Sequence, residues 1–154
     1  MKVIKLTQGR FTLVDDQDHE TFGKVKWCVS NGYVARGVGG RKNRKTLLLH
    51  KEIMKTPKGM DTDHINGDKL DNRRENLRIA TRSQNMANLA NPINNKSGYK
   101  GVIWYKRDKN WRAFIKVDYK QIHLGYFDDK TEAAKAYNLA ALEKYGKYAF
   151  LNPV

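Results

Sequence analysis

Residues 63–88, DHINGDKLDNRRENLRIATRSQNMAN, decide the fold of the N-terminal half of this 154-residue chain. The first two residues precede a polar turn, and residues 77–80 are typical of a short second strand. Thr81 and Gln84 have the spacing of a capping box, which predicts that a helix begins at Thr81. This order of strand, loop, strand and helix gathers four polar side chains around one cleft: Asp63, His64, Asn76 and Asn85.

The four side chains suit the hydrolysis of a phosphodiester. That reaction needs an activated water, a charge stabiliser for the phosphate and help for the departing 3′ oxygen. A divalent ion held by hard oxygen ligands supplies the last two, and Asp63 and Asn85 offer such oxygens. His64 is the candidate base, because a histidine with an ordinary pKa of about 6.5 accepts protons near neutral pH. The same residue types also build turns without any metal, so a purely structural loop is the alternative.

The spacing of these residues resembles a known nuclease motif. Asn76 follows His64 by twelve residues and Asn85 comes nine further on, as in the H-N-N form of the HNH motif with its ββα-metal fold. The phrases DHINGDKLDN and ENLRIATRSQN are similar to those of phage and intron-encoded HNH homing endonucleases. Upstream, GYVARG and LLLHKEIM resemble the lead-in strands of the same group.

The resemblance implies a role for each of the four residues. His64 is the general base, and Asp63 and Asn85 bind one Mg²⁺ or Mn²⁺ ion. Asn76 holds the loop and orients His64. Many HNH enzymes have a histidine where this chain has Asn85, so a hard cation is expected rather than zinc. A scaffold of this kind that binds DNA without cutting it is an alternative.

Other basic side chains surround the predicted site. Four arginines flank it: Arg73, Arg74, Arg78 and Arg82. Together they are expected to clamp the DNA backbone, although each alone is typical of a solvated surface charge. Residues 36–45 interleave glycine with basic residues and predict a mobile loop, in which Arg41 and Arg44 either contact phosphates or lie at a solvated hairpin tip. His19 and His50 are expected to be structural or surface residues.

The composition agrees with a nucleic-acid partner. The 30 Lys and Arg against 16 Asp and Glu give a formal charge of +14, which favours binding to polyanions. A hydrophobic content of 40% is too high for a disordered polycation, so folded units are expected. The single cysteine, Cys28, excludes an intramolecular disulfide and any zinc site built on cysteine pairs. No apolar run is long enough for a membrane span, and we expect a cytoplasmic protein of a bacterial host, encoded by a phage or mobile element.

The second half of the chain is predicted as a separate module. Asn, Pro, Ser and Gly cluster within residues 91–98 and predict a linker between a nuclease domain at 1–90 and a second domain at 99–154. The ββα-metal motif is expected near residues 60–90. Four elements are predicted in the second domain: strands over 99–105, 110–117 and 121–126 and a helix over 130–145. Asp129 is the predicted N-cap of that helix.

This module resembles a different family, the plant Apetala-two or ethylene-response-factor DNA-binding domain. The matching segments are YKGV at 99–102, WRAFI at 111–115, LGYF at 124–127, TEAA at 131–134, AYN at 136–138 and LN at 151–152. That domain is known as a three-stranded sheet laid in the DNA major groove and backed by one helix, and it also occurs fused to HNH homing endonucleases. The resemblance therefore implies duplex DNA as the partner.

Strand parity predicts which side chains face DNA. On the middle strand these are Arg112, Phe114 and Lys116. The other expected DNA contacts fall on Lys100, Ile103, Tyr105, Gln121 and His123. The plant domains have several arginines and a tryptophan at such positions, so fewer bidentate contacts to guanine are expected and the plant target sequence does not transfer. The aromatic and apolar side chains would instead contact thymine methyls or deoxyribose, or simply pack within the sheet.

Together the patterns predict an α+β protein. N-terminal β-hairpins lead into a ββα-metal motif, and a three-stranded antiparallel sheet packs on one C-terminal helix. The predicted function is a site-preferring, homing-type DNA endonuclease that uses one metal ion and, as a monomer or weak dimer, nicks double-stranded DNA. The rival prediction, from a different class, is a non-catalytic DNA-binding regulator in which the basic sheet module alone acts.

Overall fold

The chain folds into two compact units, Met1–Thr81 and Arg82–Val154. The computed structural model describes residues 1–91 and 94–154. The first unit combines short antiparallel sheets with helices. The described residues of the second unit form one such sheet and two helices. This mixture confirms the predicted α+β fold class.

The first unit contains three small antiparallel sheets and two helices. Its elements are, in chain order, β1 Lys2–Lys5, β2 Phe11–Val14, α1 Asp16–Phe22, β3 Cys28–Ser30, β4 Tyr33–Val38, β5 Lys45–Leu48, α2 Leu49–Met54, β6 Asp61–His64 and β7 Leu77–Ala80. Strand β1 pairs with β2, β3 and β5 flank β4, and β6 pairs with β7. A turn of 3-10 helix, Arg74–Asn76, leads into β7. The hairpins thus precede the β6–β7 pair, as expected.

The core of the first unit combines apolar residues of β1, β2, β4, α2 and β7 with two from the connections. Its buried apolar residues are Ile4, Leu6, Val14, Trp27, Val34, Leu49, Ile53 and Leu77. The hairpin between β3 and β4 turns at Asn31 and Gly32, which both have positive φ angles (51° and 82°). An Asn-Gly pair adopts this geometry at low cost, so the two strands meet in the register that buries Val34.

Two features of this unit differ from expectation. Residues 36–45 are not one mobile loop, because β4 continues to Val38 and β5 begins at Lys45. Ladder hydrogen bonds between these strands outweigh the low strand propensity of the glycines, and only residues 39–44 form the connection. A short helix, α1, also forms where no pattern predicted one. Asp16 and Asp18 lie in its first turn, where negative charge is favourable.

The second unit contains one three-stranded antiparallel sheet and two helices. Its elements are α3 Arg82–Asn88, β8 Val102–Tyr105, β9 Asn110–Val117, β10 Lys120–Phe127 and α4 Lys130–Tyr145, followed by a 3-10 turn at Gly146–Tyr148. The strand order is β8-β9-β10, and α4 contacts all three strands. The sheet packed on the C-terminal helix is therefore as predicted, and β9 and α4 have the predicted bounds.

Small residues bring α4 close to the sheet. The buried residues of this interface are Val102, Ala113, Ile115, Ala133, Ala134, Tyr137 and Ala141. Gly101 has a φ of 73°, and a Cβ atom there would lie 2.2 Å from the ring of Tyr137. Only glycine fits both constraints. Asp129 caps α4 as predicted, accepting hydrogen bonds from the backbone N–H groups of Thr131 (2.7 Å) and Glu132 (3.0 Å).

Helix α3 belongs to the second unit because its end is tied to the sheet module. The ammonium group of Lys100 donates to the carbonyl oxygens of Ala87 and Leu89, both at 2.6 Å. Burial lowers the pKa of Lys100 to about 8. The backbone N–H of Phe150 also donates to the Ala87 carbonyl (3.2 Å), and Ser83 hydrogen-bonds to the hydroxyl of Tyr145 (3.3 Å).

The predicted linker at 91–98 includes Pro92 and Ile93, which lie outside the described residues. The functional division into domains at 1–90 and 99–154 stays a prediction. Among residues 1–91 and 94–154, no helix combines the length and the apolar character that crossing a membrane requires.

Candidate active site

Asp63 and His64 occupy the last two positions of β6. Antiparallel pairing with β7 sets Asp63 opposite Arg78 and His64 opposite Leu77. The backbone N–H of Ile65 then donates to the carbonyl of Asn76 (2.9 Å), which closes the hairpin. Both Asp63 and His64 are only 4–5% exposed, so the two groups are held in a largely water-free setting.

Asn76 ties the two ends of the loop between β6 and β7. Its amide Nδ2 donates to the carbonyl of Asp71 (2.8 Å), and its Oδ1 accepts from the backbone N–H of Asn66 (3.0 Å). The side chain of Asn66 in turn donates to the carboxylate of Asp71 (3.0 Å). These bonds cross-brace the polar loop between β6 and β7.

The ring of His64 is held by a different asparagine. Its Nε2 lies 3.2 Å from Oδ1 of Asn72, a fully buried side chain. Burial lowers the pKa of His64, because the charged imidazolium would lose its hydration. The Asn72 hydrogen bond and nearby carboxylates act in the opposite direction. The ring is therefore neutral at pH 7, the state in which a histidine can accept a proton.

Two further rings pack beside His64. The His50 ring lies 5.0 Å from it, edge to face, and the Tyr33 ring lies 6.1 Å from it. His50 is buried and its pKa falls to about 3, mainly through desolvation. Its Nδ1 atom has no hydrogen-bond partner among the residues that the structure describes. The ammonium of Lys69 lies over the ring of Tyr33, 4.2 Å from the ring centroid.

Asp63 forms a buried ion pair with Arg78. The guanidinium contacts Oδ2 of the carboxylate through Nε at 2.8 Å and through a terminal nitrogen at 2.7 Å. The facing positions on β6 and β7 make this contact geometrically direct. The guanidinium supplies a counter-charge in a buried site, where an isolated carboxylate would be costly.

Two other flanking arginines also contact carboxylates. Arg73 donates to Asp71 through Nε and a terminal nitrogen, both at 2.7 Å. This bond raises the pKa of Arg73 and lowers that of Asp71. Arg74 makes the corresponding pair with the buried carboxylate of Asp18, with both distances at 2.8 Å. These arginines stabilise the loop, and their contact with DNA stays a prediction.

The remaining predicted residues of the nuclease part lie elsewhere. Asn85 and Arg82 are in α3, within the second unit, and their roles stay predictions from the motif. Arg41 and Arg44 are exposed in the connection between β4 and β5. The side chain of Arg44 folds back over Gly37, where an added Cβ would lie 2.8 Å from its Nε.

Helix α4 packs on one side of the sheet of the second unit, and the opposite side carries a separate set of side chains. The register places Arg112, Phe114 and Lys116 of β9 on this side, as parity predicts. Their partners in the ladder are Ile103, Gln121, His123 and Tyr126, and Tyr105 lies opposite Asn110 at the edge. We call this set of side chains the open sheet face. Contact of its members with DNA, and of Lys100, stays a prediction.

A β-bulge in β10 adds Tyr126 to the open sheet face, which strict alternation along the strand does not predict. The register shifts between His123 and Gly125, so Tyr126 turns to the open sheet face and Phe127 turns to the helix. The Tyr126 ring lies 4.5 Å from His123 and 5.6 Å from Tyr105. Gly125 has a φ of 139°, a conformation that glycine adopts readily, and it is the only sequence signal of the bulge.

The chemistry of Asp63 fits a hard divalent cation. A buried carboxylate is the ligand type that Mg²⁺ and Mn²⁺ prefer, and Mg²⁺ commonly takes one or two protein oxygens with the rest from water and phosphate. Within residues 1–91 and 94–154, no three His, Cys, Asp or Glu side chains form a cluster of the kind that would hold a metal ion by themselves.

Residues 55–87 match a protein family described as HNH endonuclease. A protein of Acanthamoeba polyphaga mimivirus, named as an uncharacterized HNH endonuclease, is 28% identical over 152 residues, which cover 96% of this chain and 77% of that protein. Protein 3.8 of Escherichia phage T7 is 40% identical over 65 residues, 42% of this chain. The matched part spans about half (54%) of the phage protein.

The chain also has plant relatives. APETALA2-like protein 2 of Oryza sativa is 39% identical over 61 residues, which cover 40% of this chain and 14% of that protein. No solved structure matches the chain. The matched segment 55–87 contains Asp63, His64 and Asn76 at the motif positions described above. Residues 55–87 are therefore similar to the HNH endonuclease family, and part of the chain is similar to plant AP2-like proteins.

Proposed function

We propose that the chain is a site-preferring, homing-type DNA endonuclease that nicks double-stranded DNA by a one-metal mechanism. The observation that carries the proposal is the position of a buried His64 next to a buried Asp63 carboxylate, itself paired with Arg78, at the end of β6. This pair lies within the segment that matches the HNH endonuclease family. A proton acceptor beside a hard anionic ligand is what metal-assisted hydrolysis requires.

Each residue of the motif then has a chemical task. His64 takes a proton from the attacking water, and Asp63 holds one Mg²⁺ or Mn²⁺ ion. Bound there, the ion supplies charge stabilisation for the crowded phosphate and for the departing 3′ oxygen. Asn76 keeps the loop closed through its two hydrogen bonds, which supports the geometry of His64. The motif assigns Asn85 as the second ligand of the ion.

The basic side chains and the open sheet face supply DNA binding in this proposal. A formal charge of +14 attracts duplex DNA of any sequence. Side chains of the open sheet face read the site, and Arg82, Arg41 and Arg44 contact the backbone. One motif per chain implies that a monomer cuts one strand, so cleavage of both strands needs a second chain or a second visit.

A second candidate function is that of a non-catalytic DNA-binding regulator. The similarity to APETALA2-like protein 2 over 61 residues favours it, because the segments that resemble the plant DNA-binding domain, within residues 99–152, do not include the nuclease motif. In this case the open sheet face would bind DNA, and Asp63 and His64 would have a structural role only. The two candidates differ in one measurable property, which is cleavage of the phosphodiester backbone.

Nicking of supercoiled plasmid DNA with Mg²⁺ separates the candidates. We expect the wild-type chain to convert supercoiled DNA to open circles, and His64→Ala to lose about 10²- to 10⁴-fold in rate, the usual contribution of a general base. Gel-shift affinity should be the same for both proteins. If both shift DNA and neither nicks it, the endonuclease proposal is wrong and the regulator stands.

A further inference from the structure

A buried chain of hydrogen bonds runs from His64 to the N-terminal hairpin. Nε2 of His64 contacts Oδ1 of Asn72 at 3.2 Å, and Nδ2 of Asn72 contacts Oγ1 of Thr12 at 2.8 Å. Thr12 and Asn72 are both fully buried. The two residues are 60 positions apart in the sequence, and neither belongs to the HNH motif residues.

Two backbone carbonyls fix the direction of every bond in this chain. A carbonyl oxygen can only accept, and Nδ2 of Asn72 lies 3.3 Å from the carbonyl of Lys69. The amide nitrogen must therefore face Lys69, which turns Oδ1 towards His64. The hydroxyl of Thr12 lies 2.7 Å from the carbonyl of Leu70, so it donates there and accepts from Asn72.

From these directions we infer that Asn72 is a positioning residue for His64, and that Thr12 fixes Asn72 in turn. Oδ1 of Asn72 can only accept, so Nε2 of His64 carries the hydrogen. A neutral imidazole has one protonated nitrogen, so the lone pair lies on Nδ1. Asn72 thereby selects Nδ1 as the atom that takes the proton. The inference rests on the proposed function, since it concerns the base of that reaction.

The backbone around Asn72 gives this arrangement its rigidity. The N–H of Asn72 donates to the carbonyl of Leu13 (2.9 Å), and the N–H of Leu13 donates to the carbonyl of Leu70 (3.0 Å). Strand β2 and the loop before β7 are thus joined like neighbouring strands, with a bridge between Leu13 and Asp71. In a buried, low-dielectric setting each of these bonds is strengthened, and the ring of His64 is held in one tautomer. The N-terminal hairpin therefore helps to position the base of the reaction.

The tautomer can be measured in the full chain without any metal. Two-bond ¹H–¹⁵N correlation spectra of ¹⁵N-histidine-labelled protein at neutral pH distinguish a protonated Nε2 from a protonated Nδ1. We expect His64 to show only the form with the hydrogen on Nε2. A wild-type spectrum with the hydrogen on Nδ1 would overturn the inference.

Substitutions of Thr12 test the relay without changing Asn72. Thr12→Val has the same shape but no hydroxyl, whereas Thr12→Ser keeps the hydroxyl. In Thr12→Val we expect a second tautomer of His64 and a loss of kcat of about 10-fold, in the range for residues that orient a ligand or base through another group. KM for DNA should not change, and Thr12→Ser should restore both the single tautomer and kcat. A Thr12→Val protein with the wild-type tautomer and kcat contradicts the inference.

Removal of Asn72 itself should have the larger effect. In Asn72→Leu we expect mixed tautomers and a loss of kcat of about 100-fold, as for other misplaced catalytic groups. Val14→Ala, on the same strand and in the apolar core, is the matched control for loss of packing. It should lower the thermal stability while the tautomer and kcat stay as in the wild type. If Val14→Ala changes them as much as Thr12→Val does, the effect is merely structural and the positioning role is wrong.

The endonuclease activity and the positioning role of Asn72 can be refuted separately. Absence of nicking by the wild-type chain would remove the proposed function, while the tautomer spectrum would still report whether Asn72 sets the hydrogen of His64. A tautomer that changes in Thr12→Val without any loss of kcat would leave the endonuclease standing and would remove the positioning role.

Discussion

The two chemically distinctive regions of this protein are built in opposite ways. Around His64 the polar groups are buried, and buried hydrogen bonds and ion pairs fix them, as the Asn72 and Arg78 contacts show. The open sheet face is instead partly exposed to solvent and rich in rings, with Tyr126 beside His123 and Tyr105. One region is organised by hydrogen-bond geometry, and the other by exposed apolar area.

This difference assigns different tasks to the two regions. A catalytic group must be held within a fraction of an ångström before the substrate arrives, which a buried, satisfied network achieves. A surface that binds a long polymer gains more from exposed aromatic area that is desolvated on contact. Substitutions in the first region should therefore change the rate of cleavage, and substitutions in the second should change affinity for DNA.

The largest effect is expected at Asp63. Asp63→Asn removes the charged oxygen proposed to hold the metal ion, and a metal ion supplies several kcal/mol of transition-state stabilisation. The nicking rate at saturating DNA should therefore fall by about 100-fold or more, while gel-shift affinity for DNA changes little. Plasmid nicking over a series of Mg²⁺ and Mn²⁺ concentrations measures this.

Asp61 provides the matched control for that change. It lies two residues earlier on the same side of β6 and pairs with Lys51 at 3.3 Å. Asp61→Asn removes the same charge from the same strand, so it should leave the rate near the wild-type value. Equal losses in Asp61→Asn and Asp63→Asn would show that charge on β6, and not a ligand at Asp63, controls the reaction. Circular dichroism checks that loss of the Arg78 partner has not unfolded the unit.

A smaller effect, on affinity alone, is expected at Tyr126. Its ring is 46% exposed at the centre of the ring group on the open sheet face. Tyr126→Ala should weaken DNA binding about 10-fold, which corresponds to about 1.4 kcal/mol, with no change in the rate at saturating DNA. Tyr119→Ala is the control, because this ring is 89% exposed in the turn between β9 and β10 and lies off the face. Similar affinity losses in both variants would remove the specific role of the face.

Much of the fold could be predicted because its signals are local. Helix α4 has an N-cap at Asp129 and a stripe of small residues at helical spacing, and both are readable within one segment. Strand β9 alternates between the two sides of the sheet along its whole length. The motif spacing likewise placed Asp63 and His64 side by side at the end of a strand.

The parts that escaped prediction depend on distant contacts or on a local irregularity. The link from Asn72 to Thr12 spans 60 positions, so no window of sequence contains both ends. The role of Asn76 in orienting the base stays a prediction, and the motif did not indicate the hydrogen bond that Asn72, four residues earlier, makes with the His64 ring. A single inserted residue at the β10 bulge reverses strand parity, which is why Tyr126 was missed.

His50 was expected to be a structural or surface residue, and its environment gives the smallest of the expected effects, a dependence of stability on pH. Its pKa is about 3 in the folded chain, below the ordinary value near 6.5, so the unfolded chain binds more protons between these values. The stabilisation is therefore complete above pH 6.5 and is lost as the pH falls. Between pH 7 and 5.5 the first unit should lose about 1 kcal/mol of unfolding free energy through this group.

His50→Phe keeps a ring beside His64 but cannot bind a proton. The loss of stability between pH 7 and 5.5 should therefore shrink by about 1 kcal/mol in this variant, leaving the part that arises from burial of His64. Hydrogen exchange of the α2 and β6 amides measures the stability of the first unit separately from the sheet module. An unchanged pH dependence in His50→Phe would mean that His50 does not stay neutral in the fold, and that the ring group beside the base tolerates a charge.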